Sequence, residues 1–123
     1  MKYLIDTHIL IWWAENNKKL KKQYKKIIAN GDNIIFVSVA SVWEIIIKTK
    51  LKKIKLNVPV NKIIEKYNFH ILDIKIDHIL ELNKLEDYHK DPFDRLLVTQ
   101  SKVEDLILLT DDKLINQYFK KAV

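Results

Sequence analysis

A chain of 123 residues with no cysteine has no disulfide, zinc–thiolate site or thiol nucleophile, which agrees with a reducing cytoplasm. One glycine and two prolines leave no P-loop and no dinucleotide-binding glycine motif, and an apolar fraction of 48% is too high for a disordered chain. The net charge of +6 is lopsided: residues 1–60 carry twelve lysines against Asp6, Glu15, Asp32 and Glu44, while residues 61–123 carry ten basic residues against twelve acids.

The length fits a single domain over residues 1–123 with a real core. The basic first half points to an anionic polymer such as nucleic acid. A Lys-, Ile- and Asn-rich composition also follows from biased base content alone, so charge by itself decides nothing. No signal-peptide pattern opens the chain, and no apolar run approaches the roughly 18 residues of a membrane span. A cytoplasmic protein with no membrane partner is expected.

The pattern alternates strands and helices. "KYLI" (Lys2–Ile5) reads as a strand and "THILIWWA" (Thr7–Ala14) as a helix. Lys18–Asn30 reads as a second helix, with Leu20, Tyr24, Ile27 and Ile28 on one face, six lysines outward and Gly31 as its stop. Ile34–Val37 is β-branched and aromatic, hence a strand. Val39–Leu51 is a helix with an apolar stripe of Val39, Val42, Trp43, Ile46 and Ile47. A helix near Val60–Tyr67 precedes a strand at His70–Ile74. Asp77–Tyr88 and Pro92–Val103 read as helices, Leu106–Leu109 as the fourth strand and Asp112–Lys121 as the last helix. Such alternation gives a parallel sheet covered on both faces, where ligands bind beyond the carboxyl ends of the strands.

The acids fall at telling places. Asp6 follows the first strand, Asp111 and Asp112 follow the fourth, and Asp91 and Asp94 bracket Pro92 at a helix start. Glu44 lies in the nearly apolar "VASVWEIII", with Ser41 at i−3 and Lys48 at i+4. Each has an ordinary reading as a helix cap or, for Glu44, half of a surface ion pair. Capping does not explain why the acids gather at one edge of a sheet. Converging carboxylates repel, and a divalent cation relieves the repulsion. Hard oxygen ligands without Cys or clustered His favour Mg²⁺ or Mn²⁺ over zinc.

"YLIDTHILIWW", "SVASVWEIIIK", "HKDPFDRLLVTQS" and "LILLTDDKLINQY" together resemble the successive motifs of PIN-domain proteins, specifically VapC-type toxins of bacterial toxin–antitoxin systems. The resemblance covers almost the whole chain in the family's order. It implies a three-layer α/β/α fold on a parallel sheet of four to five short strands, a metal-dependent ribonuclease activity and a cognate antitoxin. By correspondence the acids are Asp6, Glu44, Asp94 and Asp112, which the resemblance makes catalytic and metal-binding. Ser41 and Thr110 match polar positions that help hold water or metal, and Asp111 stands where the family often has a small residue. The chain departs from the family in ending at "YFKKAV", which leaves the usual final strand short or missing.

On this reading, metal-activated water attacks an RNA phosphodiester, with no Ser, Cys or His nucleophile. Binding of the polyanion falls to the lysines of Lys18–Asn30 and Lys48–Lys55. Arg95 either contacts phosphate or pairs with Asp91 or Glu44. His89 is a proton shuttle or an ordinary loop histidine, and Trp12, Trp13 and Trp43 are stacking platforms, core or dimer contacts. A receiver-type signalling domain lacks its paired acids and late lysine here. A catalytically silent RNA- or antitoxin-binding module on the same fold is the alternative. Apolar "ILIWW", with the Tyr- and Ile-bearing helices, exceeds what one small sheet covers, so a homodimer is expected.

Overall fold

The computed structural model describes residues 1–119. Four strands, β1 (Lys2–Ile5), β2 (Ile34–Ser38), β3 (His70–Leu72) and β4 (Ile107–Leu109), pair in the order β3-β2-β1-β4, every neighbour parallel. Ile5 is level with both Val37 and Leu109. The residues that follow them, Asp6, Ser38 and Thr110, therefore share one rim. The chain winds outward through β2 to β3 and then crosses back to β4, so the topological switch point lies between β1 and β4.

Alternation along β1 sorts the core. Tyr3 and Ile5 face one layer with Ile9, Leu10 and Ile11 of α1 (Thr7–Glu15), Ile28 of α2 (Lys22–Ala29) and Ile63 and Ile64 of α4 (Val60–Lys66). Leu4 faces the other, with Ala40 of α3 (Val39–Lys50) and Leu96 and Leu97 of α6 (Pro92–Val103). The three-layer arrangement agrees with the α/β/α expectation. The remaining helices are α5 (Ile76–Glu81), continued by a 3₁₀ turn at Leu82–Lys84, and α7 (Lys113–Asn116), continued by another at Gln117–Phe119. A strand at the very end of "YFKKAV" would fall on residues 120–123, outside the described residues.

Several expectations are corrected. The second helix starts at Lys22, not Lys18, because Asn16 is left-handed (φ 52) and the Asn17 side chain accepts the Lys19 N–H at 2.9 Å, turning Leu20 into the core. Gly31 has no positive φ; the Asn33 side-chain amide closes the end of α2 by donating to the Ile27 carbonyl at 3.0 Å. The third strand stops at Leu72, the fourth begins at Ile107 and α7 ends at Asn116. The helix expected to reach Tyr88 gives way after Lys84 to a loop whose carbonyls are claimed by Arg95. In α3 the expected stripe is split: Trp43 and Ile46 are exposed and Val39, Val42 and Ile47 only half-buried, while Ala40, Ser41, Glu44 and Ile45 are buried. The "ILIWW" surplus is mostly absorbed, since Ile9, Leu10 and Ile11 lie in the chain's own core.

Candidate active site

The rim begins with Asp6, the N-cap of α1. One carboxylate oxygen accepts the Ile9 N–H at 2.8 Å, and the other accepts the Thr110 hydroxyl from the end of β4. The same Thr110 oxygen accepts the Asp112 N–H at 3.0 Å. Asp112 caps α7 through Oδ1, at 2.8 Å from Leu114 N and 3.1 Å from Ile115 N, which leaves Oδ2 free to face the site.

Helix α3 enters beside them with Ser41, Glu44 and Lys48 on one face, at helical spacings of three and four. Glu44 is 2% exposed. Its Oε1 accepts from Thr7 Oγ1 at 2.7 Å, Thr7 in turn pairs with Ser41 Oγ at 3.0 Å, and Oε2 meets the Lys48 ammonium. A carboxylate this buried needs such partners to stay charged.

From α6 comes the "DPFD" pair, which the fold divides by role. Asp91 is the cap, accepting from the Phe93 N–H at 2.8 Å and the Asp94 N–H at 3.1 Å. Asp94, at N3, is thereby released to face inward, where His89 Nε2 lies 3.1 Å from its Oδ2 and 3.2 Å from Asp112 Oδ2.

The acids also act on one another through charge. Burial, then the charges of Asp91 and Glu44, push the Asp94 carboxyl up to about 7, and Asp6 adds to the effect. Burial also raises Asp6, with Asp112 contributing, against the bonds from Thr110 and Ile9. Burial alone would raise Asp112 too, but the Ile115 and Leu114 amides and His89 outweigh it and hold that carboxyl low. Burial opposes the charge on Lys48, yet Glu44, Asp91 and Asp94 together raise its ammonium.

Hydrogen bonds thus run from Asp6 through Thr110 to Asp112 and on through His89 to Asp94, while Glu44 and Ser41 are joined to them through Thr7, the neighbour of Asp6. Among the described residues the ligand atoms that lie within 4.8 Å of one another are those of His89, Asp94 and Asp112, not those of Asp6 or Glu44. Asp111 turns aside to pair with Lys21 at 3.0 Å. Arg95 reaches neither Asp91 nor Glu44 among its hydrogen bonds: it donates to the carbonyls of Glu86 (3.0 Å) and His89 (3.1 Å) and pairs with Asp87 (3.3 Å), bracing the loop before α6. Of three further residues at the site, Thr7 escaped the sequence reading and Lys48 and His89 were only partly read. Thr7 was hidden as the first helical residue after Asp6. Lys48 was legible only as a surface partner of Glu44, although a cation does stand among these carboxylates. His89 was named only as a proton shuttle or an ordinary loop histidine, because its partner Asp112 lies 23 residues further along the chain.

A family model for the PIN domain matches residues 3–120. The chain belongs to the PIN domain family. No curated protein matches the sequence. Among solved structures, the crystal structure of VapBC2 from Rickettsia felis bound to a DNA fragment from their promoter matches with a TM-score of 0.69 at 15% identity, over 96% of this chain and 93% of that one. At that identity the likeness speaks for the fold. PIN domains generally use divalent cations, and the donors of this PIN domain fit one. They are hard carboxylate oxygens, two of them raised by burial and mutual charge, so a bound cation relieves what the fold imposes. Lys48 supplies part of that relief and leaves the rest to be met.

Proposed function

We propose that this PIN domain is a metal-dependent endoribonuclease acting as the toxin of a toxin–antitoxin pair. The observation that carries the reading is Asp94: a carboxyl pushed up to about 7 beside Asp6, Glu44 and Asp91, at the switch point where a parallel sheet binds its ligands. Asp6, Glu44, Asp94 and Asp112 would hold Mg²⁺ or Mn²⁺. Such an ion supplies positive charge that acidifies an attacking water and offsets charge developing on the phosphate.

The chain's own residues do the rest. Thr110 and the Ile9 amide fix the orientation of Asp6, and Thr7 and Lys48 fix Glu44, so the acids need little rearrangement on binding. A crevice of about 270 Å³ lined by Asp6, His8, Trp12, Asp111 and Asp112 opens beside the acids and gives an RNA strand room to approach. Lys18, Lys19, Lys22 and Lys26 are exposed around α2, as are Lys50 at the end of α3 and Lys52, Lys53 and Lys55 beyond it; they attract the polyanion that the acids repel. Lys21 and Lys48 are engaged with Asp111 and Glu44.

The solved VapBC2 complex supports an antitoxin as partner. A homodimer draws support from exposed Trp43 and Ile46 on α3, with Phe93 packed edge-on against Trp43 at 5.1 Å. Light scattering at micromolar concentration reads the homodimer directly. For the activity, purified protein is expected to cleave RNA with Mg²⁺ or Mn²⁺, to stop in chelator, and to lose activity in Asp6→Asn with the fold kept. Cleavage by Asp6→Asn at the wild-type rate, with contaminating nucleases excluded, overturns the reading.

A further inference from the structure

His89, Asp94 and Asp112 offer ligand atoms all within 4.8 Å of one another, a spacing that by itself reads as a His–Asp–Asp metal site. The hydrogen bonds around the ring say otherwise. His89 Nδ1 accepts the Asp91 backbone N–H at 3.0 Å. An acceptor nitrogen is bare, so in the neutral ring the proton sits on Nε2, and Nε2–H donates toward the two carboxylates. To ligate a metal through Nε2, the proton would have to move to Nδ1, where it would meet another N–H donor head-on.

The ring is also held in that pose. The His89 N–H donates to the Tyr118 hydroxyl at 2.9 Å, and Tyr118 donates to the Glu86 carbonyl at 2.6 Å. Arg95 binds the carbonyls of both His89 and Glu86. The His89 side chain is only 12% exposed. A loop residue fastened at backbone and ring, with one N–H aimed among acids, is built to donate at that point.

We propose that His89 is an Nε2–H donor to a non-bridging oxygen of the RNA phosphate held at the site, and not a metal ligand; this rests on the nuclease reading above. Were Asp94 and Asp112 to hold a cation, their oxygens would be less available to Nε2–H. A phosphate oxygen at the site would then offer Nε2–H a charged acceptor of the same kind.

The test uses the whole chain. Nitrogen NMR of the wild type reports the tautomer, with protonated Nε2 and bare Nδ1 expected; the opposite tautomer overturns the proposal. Mn²⁺ affinity is measured by electron paramagnetic resonance for wild type, His89→Ala, His89→Gln and Asp94→Asn. RNA oligonucleotide binding is measured with Ca²⁺, and turnover with Mg²⁺. His89→Ala is expected to keep Mn²⁺ affinity within about threefold while weakening RNA binding or turnover about tenfold or more. His89→Gln, whose amide N–H reaches near the Nε2 position, should regain part of the loss. A drop of about tenfold or more in Mn²⁺ affinity for His89→Ala, matching Asp94→Asn, ties His89 to the metal, as a ligand or as the partner that orients one, and overturns the proposal. Unchanged RNA binding and turnover in His89→Ala also overturn it. A wild type that binds RNA in a His89-dependent way but cleaves none removes the nuclease reading and leaves the donor role standing.

Discussion

Thr110 Oγ1 donates to Asp6 Oδ2 across 104 residues of sequence and accepts the Asp112 N–H with the same oxygen. One hydroxyl thus ties the ends of the two strands that flank the switch point and sets two of the four acids. Thr110→Val keeps the shape and removes the donor, leaving a buried carboxylate oxygen and an amide unpaired. A loss of about 1–3 kcal/mol in chemical denaturation is expected, with Thr110→Ser close to wild type. The Asp6 carboxyl should also rise further, because the bond that lowers it most is gone.

Lys48 gives the acid pocket its internal counter-charge. Lys48→Met leaves buried Glu44 with Thr7 as its remaining partner and should cost about 1–3 kcal/mol, less than a fully buried pair because the lysine side chain is 31% exposed. The double variant Glu44→Gln/Lys48→Met should recover most of that loss. Mg²⁺ should raise the melting temperature of Lys48→Met more than that of wild type, since the cation then meets less competition. Equal gains would place Lys48 outside the electrostatics of the site.

Arg95 acts through shape. One guanidinium nitrogen, Nη1, serves the Glu86 and His89 carbonyls while the other, Nη2, reaches the Leu85 carbonyl at 3.5 Å, and the single nitrogen of a lysine cannot fill both positions. Arg95→Lys is expected to cost about 1–2 kcal/mol and to speed amide exchange at His89 and its loop neighbours, with little change in the strands. Protection unchanged at the His89 amide would show that the loop is held by other means.

How much of this the sequence displays follows from how local each cause is. Asp6 stands out because the apolar run of β1 stops on it, and Asp112 because it comes three residues after the apolar run of β4; parallel register then puts the two strand ends on one rim. The division of "DPFD" into a cap and a released acid follows from N-cap geometry, yet which way Asp94 then faces depends on how α6 packs. The face of α3 was misread for a similar reason. Its apolar stripe includes Trp43 and Ile46, but the partner awaiting the helix is the polar rim, and Thr7 reaches Glu44 from 37 residues away. His89 and Arg95 take their places from Asp112 and Tyr118, each 23 residues distant, which no local pattern records.

The fold forces repelling carboxylates together, and Asp94 registers the cost in a form that can be measured. Its folded carboxyl, at about 7 against an ordinary 3.8, binds a proton that the unfolded chain has already released. The resulting penalty is absent below the ordinary value, grows as pH rises toward 7, and is complete above it. Melting curves of wild type and Asp94→Asn, taken near pH 8 and near pH 4 in chelator and near pH 8 with Mg²⁺, measure it. The predicted result is an Asp94→Asn variant that is more stable by about 1–3 kcal/mol near pH 8 in chelator, loses that advantage near pH 4, and gains less from Mg²⁺ than wild type. A variant that melts lower than wild type in chelator near pH 8 and responds equally to Mg²⁺ contradicts the account.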